Sequence, residues 1–353
     1  MKNLVIIGEL HLDLVCETTL FNLLVEKIGT KLMNFIYYNP DDINKQLLEK
    51  IIRNAISDIP KKTISNCTLK RGGNGNNTAE YCASFGIPTY LIAVIGTNTD
   101  WMIDELKMLG INTTLIYKKK FQTPISTIIK SQLTTKILIA QNLKQKMNFN
   151  GIKLSNDLFL NAKIIYLTPI MDKYKKLLKV ALEQDAIVSL NIEAQKIKNY
   201  EHLKNIIEDK VDIIFINRND ANLIIGKNLN DNKVDMLYEK FASIRIYTAG
   251  SEGSYLFSNS FQIFTPTIQL NDIKDRTGAG DCFAAGFLSK LFELIKNKND
   301  LIELNQSHNS ERFKTILSTC MEFATFSAVY KISTQLIPSK KTIEEFIKTS
   351  KNP

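Results

Sequence analysis

The chain has 353 residues, of which 44 % are hydrophobic and 23 % are charged, a balance that excludes an intrinsically disordered chain. No apolar run reaches the ~18 residues that cross a bilayer, and five scattered cysteines without a CxxC pair indicate a cytoplasmic protein without a disulfide framework. The net charge of +9 comes from lysines spread along the chain, which favours small anionic ligands such as nucleotides over nucleic acid.

Short apolar segments that end in glycine or in polar residues recur along the chain. They predict buried parallel strands at Leu4–Ile7, Tyr90–Ile95, Lys163–Leu167, Ala186–Leu190, Asp212–Ile216 and Ile244–Thr248. Helical patterns alternate with them at Asn77–Phe85, Lys173–Gln184, Asp220–Ile225 and Cys282–Leu291. This alternation predicts an α/β fold with a doubly wound, mostly parallel sheet and helices on both faces.

Three regions interrupt this alternation. Ile111–Gln141 alternates polar and apolar residues, which predicts antiparallel strands in a small sheet that stands off the main one. Within Cys16–Leu69, the pattern predicts a helix at Asp41–Ser57 and favours a strand at Phe35–Tyr38. The polar stretch Asn297–Glu311 predicts an exposed turn between two helices.

The segment DRTGAGDCFAAGF, which starts at Asp275, carries the most specific chemical signal. Gly278, Ala279 and Gly280 leave the backbone amides open to approach, and a helix is predicted to begin near Asp281. Amides at a helix N-terminus form an anion site, and a carboxylate beside a bound phosphate can accept the proton of an attacking hydroxyl. The alternative is that Asp281 only caps the helix and the glycines only form a tight turn.

This segment resembles the C-terminal signature of the ribokinase-like (PfkB-type) carbohydrate kinases, D-T-T-G-A-G-D-x-F. The resemblance implies that Asp281 is the catalytic base and that Gly278–Gly280 form the anion hole. It also implies a monovalent-cation site, such as one for K⁺, at Asp275 and Thr277. Arg276 departs from the family pattern, which has threonine or a small residue there.

Two N-terminal segments are similar to the family's acceptor-binding motifs. GELHLD ends at Asp13, and the resemblance implies that this carboxylate binds sugar hydroxyls, with His11 beside it. GGNGNN begins with Gly72 and Gly73, which would let the backbone approach the substrate, and ends with Asn77, which would bind a hydroxyl. The alternatives are a surface aspartate in a turn and a glycine turn capped by asparagine.

Two later segments resemble the family's nucleotide and metal motifs. Asn217 and Asp220 fall on the ends of an N-x-x-E motif, in which aspartate replaces glutamate and shortens the reach by one methylene. The resemblance implies that Asp220 binds Mg²⁺ through water, unless it is only a helix cap. TAGSEG is similar to the turn that lines the nucleotide, which adds Thr248, Gly250 and Gly253 to Asn217 as predicted nucleotide-binding residues.

The motifs together imply transfer of the γ-phosphoryl group of ATP to a hydroxyl of a sugar or sugar-like acceptor, with Mg²⁺. A nucleoside kinase of the same fold and a catalytically silent sugar- or nucleotide-binding protein remain alternatives. The expected partners are small molecules, with neither nucleic acid nor membrane. Acceptor residues and base lie at opposite ends of the chain, so we predict one domain over residues 1–353. Lid elements are predicted within residues 14–70 and 111–142, and exposed lid strands could pair two copies into a homodimer.

Overall fold

The computed structural model describes residues 2–38, 45–60, 65–131, 135–139, 141–153, 156–227, 231–270, 273, 275–305 and 310–351. The chain divides into two compact units. The large unit comprises Met1–Leu10, Gly72–Thr123 and Gln145–Pro353, and the small unit comprises His11–Arg71 and Pro124–Lys144. The single domain and the lid role of the small unit remain predictions.

The strands of the described residues are β1 (Asn3–Gly8), β2 (His11–Glu17), β3 (Asn66–Gly72), β4 (Thr89–Thr97), β5 (Ile116–Gln122), β6 (Ile125–Lys130), β7 (Thr135–Ile139), β8 (Ala162–Thr168), β9 (Ile187–Ile192), β10 (Val211–Asn217), β11 (Ala242–Thr248), β12 (Ser254–Phe257) and β13 (Gln262–Thr265). The helices are α1 (Leu20–Tyr38), α2 (Lys45–Ser57), α3 (Asn74–Ser84), α4 (Asp100–Met108), α5 (Gln141–Lys144), α6 (Lys175–Leu182), α7 (Tyr200–Ile206), α8 (Arg218–Ile225), α9 (Asp231–Tyr238), α10 (Ala279–Leu294), α11 (Lys298–Leu304), α12 (Ser310–Thr334) and α13 (Lys340–Lys351). None of these helices is long and apolar enough to cross a membrane.

The large unit is built on a nine-stranded sheet in the order β13-β12-β11-β10-β9-β8-β1-β4-β5. The neighbours from β11 to β5 pair in parallel, and β12 and β13 add an antiparallel edge. Every residue of β1 and of β8 is buried, because helices cover a parallel sheet on both faces. The predicted doubly wound, mostly parallel α/β fold is therefore confirmed.

The small unit holds a separate four-stranded sheet in the order β3-β2-β6-β7. β6 and β7 pair in antiparallel fashion, as predicted, while β2 and β6 pair in parallel with Asp13 opposite Ser126. The prediction that all strands of Ile111–Gln141 join this sheet was wrong for β5, which pairs in parallel with β4. Tyr117 and Phe121 on β5 pack against the core of the large unit, which explains its membership of that sheet.

Two other local predictions were wrong. Phe35–Tyr38 is the last turn of α1 and not a strand, because Ile36 continues the four-residue spacing of apolar residues along this helix. The stretch Asn297–Glu311 contains the helix α11, whose N-cap Asn297 accepts a hydrogen bond from Asp300 N at 2.9 Å. The predicted helix Asp41–Ser57 is observed from Lys45 onward, and its residues 41–44 lie outside the described ones.

Candidate active site

A cavity of about 550 Å³ lies in the large unit at the carboxyl ends of β9, β10 and β11. In open α/β sheets this edge is where ligands bind, since loops and helix N-termini converge there. One wall is the N-terminus of α10, and another is the side of α12 around Val329. The predicted site residues that line this cavity are Asn217, Asp220, Thr248, Gly250, Gly253, Gly278, Ala279, Gly280 and Asp281.

Asp281 lies in the first turn of α10 and is only 8 % exposed. Burial raises the pKa of its carboxyl group to about 7, and hydrogen bonds from Asn77 and Asn74 oppose this rise. The Asn77 Nδ2 atom donates to Asp281 Oδ2 at 2.9 Å. A carboxyl group with such a pKa exchanges its proton near neutral pH, as general acid–base chemistry requires.

The residues at the N-terminus of α10 line the same cavity. Cys282 N donates to Gly278 O at 2.9 Å and makes the first helical bond, and Ala279 N donates to Arg276 O at 3.2 Å. The amides of Gly280 and Asp281 lie between these two and precede the first helical bond. Together with the positive end of the helix dipole, they are suited to hold an anion.

Glycine is required where α10 begins. Gly278 has a φ of 77°, in the left-handed region, and a Cβ atom at this position would lie 3.1 Å from the hydroxyl of Tyr81. A second close approach joins β1 to α3. A Cβ atom on Gly8 would lie 2.6 Å from the Cα atom of Gly75, so the end of β1 and the first turn of α3 pack backbone against backbone.

The segment GGNGNN joins β3 to α3 and places Asn77 in the first turn of α3. Gly72 ends β3, and Gly73, with a φ of 100°, is the N-cap of α3. Asn76 N donates to Glu9 O at 3.1 Å, which fixes the start of α3 against the end of β1. Gly72, Gly73 and Asn77 therefore lie where β3 passes into α3, and their contact with an acceptor remains a prediction.

Glu193 and Asn74 belong to this site, although the sequence analysis did not single them out. Asn74 Nδ2 donates to Glu193 Oε1 at 2.7 Å, and Asn191 Nδ2 donates to the same oxygen at 3.1 Å. Asn74 also lowers the pKa of Asp281, so its side chain acts on both carboxylates. Glu193 directly follows β9, and a polar residue just after a buried parallel strand was the signal that could have found it.

The carboxylates of Glu193 and Asp220 both line the cavity and form its acidic side. Burial raises the pKa of each, and the negative charge of Asp220 raises the pKa of Glu193 further. Asp220 Oδ2 accepts a hydrogen bond from Ala194 N at 3.2 Å. Asn217 caps α8 by accepting a hydrogen bond from Asn219 N at 2.9 Å.

These two carboxylates fit a divalent cation, because a cation between them would relieve their repulsion and Mg²⁺ prefers carboxylate oxygens. Within the described residues, no three acidic, histidine or cysteine side chains cluster as a metal site. A cation held by Glu193 and Asp220 would therefore need water or phosphate oxygens to complete its six ligands.

Asp275 and Thr277 form a turn before α10 that is held by hydrogen bonds between the two residues. Thr277 donates to Asp275 Oδ1 from its backbone N at 2.9 Å and from its hydroxyl at 2.7 Å. Gln335 Nε2 donates to the backbone carbonyl of Asp275 at 2.9 Å. The turn links the start of α10 to the end of α12, and a role in binding K⁺ remains a prediction.

His11 and Asp13 lie on β2 in the small unit. His11 is buried, and its Nε2 atom lies 3.3 Å from Asp13 Oδ1 and 3.2 Å from Ser126 Oγ. The side chain of Asp13 is 17 % exposed. The two predicted acceptor residues thus contact each other, and their contact with an acceptor remains a prediction.

The model for "pfkB family carbohydrate kinase" matches residues 23–332 of the chain. The chain is 27 % identical over 224 residues to the cytidine kinase of Thermococcus kodakarensis. This match covers 62 % of this chain and 79 % of that protein. It is 26 % identical over 252 residues to the ribokinase of Staphylococcus aureus. This match covers 68 % of this chain and 80 % of that protein. The solved nucleoside kinase of Methanocaldococcus jannaschii has the same fold, with a TM-score of 0.67, 19 % identity and 99 % coverage of both chains.

Proposed function

Because the chain belongs to the pfkB family of carbohydrate kinases, as its C-terminal signature indicated, we propose that it transfers the γ-phosphoryl group of ATP to a hydroxyl of a sugar or nucleoside, with Asp281 as the general base. One observation carries the proposal. The buried carboxyl group of Asp281, with a pKa of about 7, lies at the N-terminus of α10 in the cavity at the carboxyl edge of the sheet.

The proposed base works through its surroundings. At neutral pH a large fraction of Asp281 is ionised, and an acceptor hydroxyl within hydrogen-bond reach would lose its proton to it as the oxygen attacks phosphorus. The amide of Asn77 holds one carboxylate oxygen and thereby orients the other toward the acceptor. Since a side-chain amide has two N–H donors, Asn77 also has one to offer to an acceptor hydroxyl.

The proposed anion hole consists of the amides at the start of α10. Gly278, Ala279 and Gly280 bring no bulky side chain, so a phosphoryl group can approach the amides of Gly280 and Asp281. Charge develops on the oxygens of the transferred group, and donors that are already in place stabilise it without reorganisation. This arrangement supports phosphoryl transfer over other uses of a glycine-rich turn.

The rest of the cavity is proposed to hold the nucleotide. Asn217, Thr248, Gly250 and Gly253 would contact its phosphates and ribose at the ends of β10 and β11. Mg²⁺, when bound, would neutralise charge on the phosphate oxygens, and Glu193 and Asp220 with Asn217 are the residues that would hold it there. We propose that Asp13, His11, Gly72 and Gly73 bind the acceptor.

A nucleoside acceptor is the second candidate, favoured by the similarity to a cytidine kinase and to a nucleoside kinase. ATP consumption with ribose, fructose, 2-keto-3-deoxygluconate, adenosine and cytidine tests both candidates. Turnover with the free sugars but not with the nucleosides supports a sugar kinase. Turnover with adenosine or cytidine supports a nucleoside kinase. If ligands raise the melting temperature but no compound of a broad panel is phosphorylated, the transfer proposal is wrong and a binding protein remains.

A further inference from the structure

Two thiols of the small unit lie next to each other. Cys16 on β2 and Cys67 on the neighbouring strand β3 bring their Sγ atoms to 2.9 Å. A disulfide has a sulfur–sulfur distance of about 2.05 Å, so the two atoms need to approach by less than about 1 Å to form one. The two residues are 51 positions apart, so the fold and not the local sequence brings them together.

The two thiols differ in exposure and in acidity. Cys67 is exposed, and Cys16 is partly buried. Hydrogen bonds with Cys16 and with the Ser65 hydroxyl, which is 3.5 Å away, lower the pKa of Cys67. The same contact raises the pKa of Cys16. Because the thiolate is the nucleophile of thiol chemistry, Cys67 is the attacking residue and Cys16 the second partner.

The remaining three cysteines lie in the interior of the large unit. Cys82, Cys282 and Cys320 are all 0 % exposed, and burial raises the pKa of each thiol. A buried thiol with a raised pKa is inert toward oxidants dissolved in water. An oxidant that reaches the folded chain therefore meets Cys67 first.

A cleft of about 480 Å³ in the small unit is lined by chain neighbours of the pair, of which Ser65 contacts Cys67. It is lined by Glu17, which follows Cys16, and by Ser65 and Asn66, which precede Cys67. Lys130 and three further hydroxyl side chains complete the lining, so the cleft offers hydrogen-bonding groups and both signs of charge. Such a surface suits a small peptide disulfide that carries carboxylate and ammonium groups.

We propose that Cys16 and Cys67 form a thiol–disulfide exchange site for small peptide disulfides such as oxidised glutathione. The Cys67 thiolate attacks one sulfur of the peptide disulfide, whose S–S bond breaks, and one glutathione leaves as thiolate. The Cys16 thiol then loses its proton to solvent, and its sulfur attacks Cys67 Sγ and releases the second glutathione as thiolate. The protein dithiol loses two electrons, and the peptide disulfide gains them.

The test incubates the full chain in mixtures of oxidised and reduced glutathione, alkylates the free thiols and maps the digested peptides by mass spectrometry. We expect a peptide in which Cys16 and Cys67 are joined, while Cys82, Cys282 and Cys320 are alkylated only after denaturation. The proposal is overturned if both thiols of the pair stay alkylatable in excess oxidised glutathione. It is equally overturned if the disulfide joins two chains on a non-reducing gel.

Two single variants separate the roles of the thiols. In Cys16→Ser we expect the mixed disulfide with glutathione to accumulate on Cys67, because no second thiol displaces it. In Cys67→Ser we expect Cys16 to remain unmodified. Equal modification of the remaining thiol in both variants would contradict the proposed order of attack. Ser65→Ala, which keeps both thiols, should slow the modification of Cys67, and a melting curve of each variant shows that it is folded.

Discussion

Asn77 and Asp281, 204 positions apart in the chain, are joined by a hydrogen bond of 2.9 Å between Asn77 Nδ2 and Asp281 Oδ2. The bond connects the first turns of two helices, α3 and α10, that pack against each other in the large unit. It stabilises the ionised form of a carboxyl group that burial otherwise drives toward the protonated form. The contact therefore bears directly on how much of the proposed base is ionised at a given pH.

Replacement of Asp281 by asparagine should remove the proposed proton acceptor. General bases contribute about 10²–10⁴-fold to rate, so we expect kcat to fall by about that factor while ATP binding is retained. ATP consumption and nucleotide titration measure the two effects. Asp104→Asn changes an exposed aspartate in the same way and should leave kcat unchanged. Near-normal turnover of Asp281→Asn would show that another group takes the proton.

The pH dependence of kcat/KM should follow the ionisation of Asp281. With a pKa of about 7 in the folded protein, the rate is expected to reach half its maximum near pH 7 and to level off about one pH unit higher. Asn77→Ala removes a donor to the ionised form, so the rising limb should move to higher pH. Asn54→Ala, at an exposed position of α2, serves as the control. An unshifted profile in Asn77→Ala would show that the rising limb does not report the ionisation of Asp281.

The same carboxyl group should make folding stability depend on pH. Its folded pKa of about 7 lies above the unfolded value near 3.8, so between these pH values the folded state binds more protons. The free energy of unfolding is then expected to fall as pH rises from 4 to 7, by about 4 kcal/mol for a shift of roughly three units. Asp281→Asn should lose this part of the dependence. Denaturant unfolding at pH 4.5 and pH 8 measures it, and parallel curves for both proteins would contradict it.

Two glycines of the anion hole should respond differently to alanine. Gly278→Ala forces a Cβ atom into the left-handed region and against Tyr81, which should lower the free energy of unfolding by about 1–2 kcal/mol. In Gly280→Ala the new Cβ atom has no atom within 4 Å and the residue lies in a helix, so the free energy of unfolding should stay unchanged. Its Cβ atom enters the cavity where the phosphoryl group would lie, and kcat should fall. Full activity in a stable Gly280→Ala would argue against the anion hole.

Glu193→Gln tests the proposed metal residues. Glutamine can still accept the hydrogen bond from Asn74 but carries no charge, so the Mg²⁺ concentration for half-maximal activity should rise several-fold. Titration of activity with Mg²⁺ at saturating ATP measures this. The exposed Glu183→Gln should not change the Mg²⁺ requirement. An unchanged requirement in Glu193→Gln would leave only a structural role for this side chain.

The central strands could be predicted from sequence because consecutive apolar residues indicate their burial. A continuous apolar run such as Leu4–Ile7, bounded by glycine, has few other uses than a buried parallel strand. The strand β3 carries no such signal, since all but its last two residues are exposed. Helix α11 also escaped prediction, because only Leu301 and Leu304 are buried within a polar stretch.

The candidate site shows the same division. Asp281 could be predicted because its neighbours in the chain, small residues before an apolar helix, already define its surroundings. The contact between Asn74 and Glu193 could not be predicted, because the hydrogen bond joins residues that are 119 positions apart. Hydrogen bonds between loops at different strand ends depend on the finished sheet, and a single sequence holds no local trace of them.

The place of β1 bears on how the chain folds during synthesis. Its residues Leu4–Ile7 are at most 1 % exposed and pair on one side with β4 and on the other with β8. Because β8 begins at Ala162, one edge of β1 has no native partner until the chain has been synthesised as far as β8. Exposed strand edges attract other chains, so nascent chains that stop before β8 should depend on chaperones and aggregate more than longer ones.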